Sequence, residues 1–172
     1  MPADSTDSAA EAYVDASLFM GMHAVDQDVR RACASFFATH LRDRVWMTYE
    51  EVGRCDDVVW ALPRATQDAY YPFMDVLHST MPVKRTPYAE DAWKTSLDVP
   101  GSAGLSLRER LLLATVVNSG SQLVTVNPRL LALAGHGMPV VAPGTQRVTA
   151  FPQPLAALYR TSHRLELDHA RV

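Results

Sequence analysis

The chain has 172 residues, a formal charge of −3 at pH 7, and a composition that is 48% hydrophobic and 20% charged. That length suits one domain with one sizeable core, and the charge carries no footprint of a general nucleic-acid binder. It leaves room for a metal-dependent nuclease, because bound divalent cations reset the local charge.

The opening MPADSTDSAAEA is acidic and small, without the basic and apolar parts of a secretory signal. Residues 1–11 are expected to be a disordered leader, 12–143 an α/β domain, and 144–172 a helical extension packed on it. No apolar run has the length to span a bilayer. Cys33 and Cys55 fall in different predicted helices and form no CxxC pair, which fits buried thiols in a reducing, cytoplasmic setting.

AYVDASLFM (12–20) reads as a buried strand running to a turn at Gly21. A helix is expected over 26–41, where Val29, Cys33, Phe36, Phe37 and His40 recur at helical spacing. RVWMTY (44–49) is β-branched and aromatic, hence a second strand. Helical spacing returns over 50–62 through Val52, Cys55, Val59 and Leu62, and again over 66–80, where Pro72 should kink or restart the helix. MPVKR (81–85) is a candidate third strand, and Thr86-Pro87 should open a helix ending near Leu97.

Residues 98–104 are a loop. Over 106–120, Ser106 and Glu109 form a capping-box pattern before an apolar run that Gly120 ends. QLVTV (122–126) is a buried strand, PRLLALAG (128–135) a short helix, MPVVAP (138–143) a last strand, and the tail over 154–169 a helix. Alternation of this kind implies a three-layer α/β/α fold around a mostly parallel sheet.

In such sheets, sites form where strands end. Asp15 is a lone carboxylate in an apolar run, costly to bury unless paired, protonated or metal-bound. Glu50 and Glu51 follow the second strand, and Glu50, nearest its end, is expected to face the site. Glu109 opens the helix leading to the next strand, and Thr125 and Asn127 end that strand. Oxygen donors of this kind suit Mg²⁺ or Mn²⁺. Each also has a local explanation: a helix-start hydrogen bond for Asp15, the capping box for Glu109, a turn with Pro128 for Asn127. Asp56 and Asp57 read as solvated helix surface.

VDASLF, TYEEV and RERLLLATVVNSGSQLVTVNPRL, in that order, resemble the PIN-domain pattern, with MPVKRTPYAEDAW similar to that fold's third strand and following helix. The stretch YEEVGRCDDVVW with QDAYYPFMDVLH also resembles an actinobacterial PIN-like family without an assigned activity. The resemblance covers roughly residues 12–135 and implies a Mg²⁺- or Mn²⁺-dependent ribonuclease. Carried over, Asp15, Glu50 and Glu109 would be metal ligands, with Thr125 and Asn127 completing the catalytic set. Two positions depart from the pattern: Glu109 stands where a third Asp is usual, and Asn127 where a fourth is. A neutral ligand and a displaced carboxylate both lower affinity for a divalent cation.

Six histidines are scattered without zinc spacing, and there is no nucleophile elbow, GxGxxG or P-loop. The aromatic group Tyr70, Tyr71 and Phe73 spreads around its helix, which suggests a homodimer through 66–80. Arg30, Arg31, Arg108, Arg110 and Arg129 could line an RNA path or be solvated. Two hypotheses stand: a metal-dependent phosphodiesterase acting on RNA or a nucleotide, or an inactive PIN-like protein binding a partner protein or a small molecule, such as one from a biosynthetic pathway.

Overall fold

The computed structural model describes residues 11–144 and 148–168. Five strands, β1 (Ala12–Val14), β2 (Val45–Thr48), β3 (Val83–Thr86), β4 (Gln122–Val124) and β5 (Val140–Val141), form one sheet in the order β3-β2-β1-β4-β5. Every neighbouring pair is parallel. Parallel neighbours need crossover connections, and the helices supply them. They are α1 (Ala16–Gly21), α2 (Gln27–Thr39), α3 (Tyr49–Trp60), α4 (Arg64–Thr80), α5 (Ala92–Thr95), α6 (Leu107–Asn118), α7 (Pro128–Leu131) and α8 (Leu155–Ser162). The expected α/β/α architecture is what the chain adopts.

Strand alternation divides the core in two. Val14, Met47 and Val124 point to one face and pack with Phe19, Phe37 and Phe73, whereas Tyr13 and Leu123 point to the other and pack with Leu112, Leu113 and Val116. Because β1 is central, both of its neighbours register against it: Tyr13 lies opposite Trp46 on β2 and Leu123 on β4.

Several boundaries differ from the sequence expectation. The apolar run 12–20 is not one strand. The carboxylate of Asp15 accepts the amide of Leu18 and caps α1, so the chain turns from strand to helix there. Thr86 ends β3 rather than opening a helix, and the expected helix to Leu97 shrinks to the single turn of α5. The segment 128–135 is α-helical only to Leu131 and continues as a 3₁₀ turn over Ala132–His136. Pro72 sits inside α4 without dividing it, and its missing N–H falls on an exposed face. At the domain start, Glu11 is held by Arg44 and Trp46; the rest of the expected leader lies outside the described residues.

Residues 155–162 of the extension form α8, which packs chiefly on α4. Phe73 contacts Phe151 and Tyr159 ring to ring, at centroid distances of 5.5 and 5.1 Å. Tyr70 and Phe73 are thus covered within the chain, which accounts for most of the aromatic spread that had suggested a second copy. Among the described residues no helix is long and apolar enough to cross a membrane.

A candidate acidic site at the strand ends

Because all strands run the same way, their carboxyl ends share one edge of the sheet. Asp15 leaves β1 there, Glu51 sits in the first turn of α3 after β2, and Thr125 and Asn127 follow β4. Glu109, in the first turn of α6, completes the group.

Asp15 is buried and fully engaged. Thr125 donates its hydroxyl at 2.6 Å, Ser17 at 2.9 Å and the Leu18 amide at 2.9 Å. Burial, then the nearby charge of Glu51, push its carboxyl up to about 6, against the pull of those donors. Ser17 also lies 3.0 Å from the Thr125 hydroxyl, so the two hydroxyls and one carboxylate form a closed triangle between β1 and β4.

The second acid is Glu51, not Glu50. Helix α3 begins at Tyr49 behind a Thr48 cap, which places Glu51 on the stripe of Cys55 and Val59, one turn apart and both buried. Glu50 turns outward and is exposed. The spacing 51-55-59 was the available signal; proximity to the strand end was the misleading one. Glu51 accepts the Ala16 amide at 2.8 Å, satisfying the first N–H of α1, and forms an ion pair with Arg108. Its charge and that of Asp15 reach the buried Cys55, whose thiol is pushed up chiefly by burial and then by Glu51 and Asp15.

Glu109 closes the expected capping box with Ser106, accepting its amide and hydroxyl at 2.8 Å each. It also accepts from the side-chain amide of Asn127 at 3.1 Å and from Arg129 at 2.7 Å. Burial raises its carboxyl, but the Ser106 bonds, Arg129 and Asn127 together hold it below the usual glutamate range. Asn127 itself caps α7 through the Arg129 amide. Capping and site geometry therefore coincide at both residues.

Three participants lay outside the expected set: Glu51, Arg108 as its counter-ion, and Tyr88. The Tyr88 hydroxyl is buried and finds no hydrogen-bond partner among the described residues. Burial, Glu50 and Glu51 push it up, with Arg108 opposing. Arg129 was visible in the sequence only as a basic residue; its tie to Glu109 follows from the short α7.

A divalent cation needs carboxylate oxygens free to converge. Here the oxygens of Asp15, Glu51 and Glu109 are spent on hydroxyls, amides and guanidinium groups. Among the described residues no three His, Cys, Asp or Glu side chains come together as a group able to hold a metal ion. The donor set as arranged does not fit Mg²⁺ or Mn²⁺. What the edge offers instead is two acids, Glu51 and Glu109, already paired with Arg108 and Arg129, whose remaining N–H groups can meet an anion.

No curated protein matches the chain. Its fold is similar to that in the crystal structure of PAE2754 from Pyrobaculum aerophilum, at a TM-score of 0.51 and 20% identity over 72% of this chain and 78% of that one. A likeness at that identity concerns the fold alone. A family model matches residues 3–172, and the chain belongs to that family, the family of unknown function DUF6190.

Proposed function

We propose that this is a PIN-like protein that acts by binding, and that its strand-end acids anchor arginines rather than a catalytic cation. The observation that carries this reading is the pairing of both outer acids, Glu51 with Arg108 and Glu109 with Arg129. A buried carboxylate with its own guanidinium has little to gain from a metal and exposes cationic N–H groups to a ligand. The occupant would be a partner protein or a small molecule carrying an anionic group, in a cytoplasmic setting that suits two unbridged, buried thiols.

A Mg²⁺- or Mn²⁺-dependent ribonuclease is the second reading. One observation favours it: Asp15 and Glu51 are like charges buried close enough for Glu51 to raise Asp15, a repulsion that a divalent cation would relieve. That reading requires Asp15, Glu51 and Glu109 to give up their present hydroxyl, amide and guanidinium partners in order to hold the ion, with RNA or a nucleotide as the substrate.

Thermal melts with and without millimolar Mn²⁺, beside an RNA cleavage assay, separate the two. Binding without catalysis predicts no metal-dependent rise in Tm and no cleavage. Cleavage that appears with Mn²⁺ and disappears in Asp15→Asn would overturn the first reading in favour of the second.

A further inference from the structure

A concave site lies away from the sheet edge, where α2, the segment 148–151 and α8 meet. Its volume is ≈ 270 Å³, and it shares no residue with the acidic group. Its floor is apolar. Phe151 and Tyr159 pack edge to face at 5.1 Å, and the Tyr159 hydroxyl donates to the Met22 carbonyl at 2.6 Å, which holds that ring in place. Ala34 and Ala156 keep the space above the rings open.

The rim is cationic. Arg30, Arg31 and Arg160 all line it, and no carboxylate does among the described residues. Arg30 is fixed by donating to the carbonyls of Ala24 at 2.8 Å and Val25 at 3.3 Å, which uses only part of its fork. Arg31 is paired outward with Asp28. The Arg160 guanidinium makes no ion pair or hydrogen bond among the described residues. His163 also lines the site, and its Nε2 is buried with no partner among the described residues. An apolar floor and a rim of one charge sign are the features of a small-molecule site with a defined ligand polarity.

We propose that this cavity binds a small aryl anion, its ring laid on Phe151 and Tyr159 and its carboxylate or phosphate held by Arg160 and Arg30. The guanidinium fork suits either head group. The site does not depend on how the strand-end acids are read.

Calorimetric titration of the full chain tests it with four probes: indole-3-acetate, phenyl phosphate, indole and tryptamine. The expected result is saturable binding of an anionic probe, with indole and tryptamine at least tenfold weaker. Tighter binding of indole-3-acetate assigns a carboxylate head group, and tighter binding of phenyl phosphate a phosphate; either supports the site. Arg160→Ala, an exposed change that leaves the fold intact by circular dichroism, should weaken the anionic probe at least tenfold. Ala156→Phe should block it by filling the space above the two rings. Absence of binding, equal binding of tryptamine, or unchanged affinity in Arg160→Ala would overturn the proposal.

Discussion

The Thr125 hydroxyl donates to Oδ2 of Asp15 at 2.6 Å, joining the ends of two adjacent strands across 110 residues of sequence. That bond is short, charge-assisted and buried, the combination in which a lost partner costs most. Thr125→Val keeps the side-chain shape and removes the donor. We expect it to lower stability by about 2 kcal/mol in urea unfolding, with Thr125→Ser recovering most of the loss. A loss in Thr125→Ser with none in Thr125→Val would show that the methyl group, rather than the hydroxyl, matters there.

Asp15 and His23 give stability opposite dependences on pH. The carboxyl of Asp15 is raised from 3.8 to about 6, so the folded state binds its proton more readily than the unfolded chain does. Its contribution is full below the unfolded value and is lost as pH rises through about 6. His23 is lowered from 6.5 to about 3, by burial and then by His163 and Arg30. The unfolded chain then takes up its proton first, and stability falls as pH drops below about 6.5. Between these values the two slopes partly cancel. Asp15→Asn should therefore steepen the loss of stability between pH 6 and pH 4, and His23→Gln should flatten it. Urea midpoints measured from pH 4 to pH 8 decide this; curves parallel to wild type would remove both groups from the account.

The alternation of elements was legible because apolar periodicity is a local signal, and Ser106 with Glu109 announced α6 through its capping box. The acids were legible as strand-end residues, but their orientation was not. Whether Glu50 or Glu51 faces inward depends on where α3 starts, and a shift of one residue in that start rotates the choice by about 100°. Asp15 was legible both as a costly buried charge and as a helix-start acceptor; what was not legible is that β1 stops at Val14, so that the helix it caps begins at Ala16. Arg108 and Arg129 were legible as basic residues, but their pairing with the acids was not, since Arg108 lies 57 residues from Glu51 in sequence and only tertiary packing brings them together.

The two acid–arginine pairs should differ in strength. Arg108 is 25% exposed and Arg129 is 58% exposed, while each partner carboxylate is 1% exposed. Removing Arg108 leaves the buried Glu51 carboxylate with the backbone amide of Ala16 as its remaining donor among the described residues, a loss of about 3 kcal/mol. Removing Arg129 leaves Glu109 with Ser106 and Asn127, and the lost ion pair is screened by water, so about 1 kcal/mol or less is expected. Urea unfolding of Arg108→Ala and Arg129→Ala should rank them in that order. The reverse ranking would mean that Arg129, not Arg108, closes the edge.

Gly21 ends α1 where it meets α2, and a methyl group added there would lie 2.6 Å from Sγ of Cys33. That is well inside contact distance, and Cys33 is buried, so the sulfur must move into a filled core. Gly21→Ala should destabilise by about 2 kcal/mol despite alanine's better helix propensity. Cys33→Ala alone should cost roughly 1 kcal/mol for the lost packing. In the double variant the sulfur is absent, the new methyl occupies its space, and the helix gains propensity. The double variant should therefore be more stable than Gly21→Ala, and its loss smaller than the sum of the single losses. Simple additivity in chemical unfolding would show that the backbone between α1 and α2, rather than the thiol, resists the methyl group.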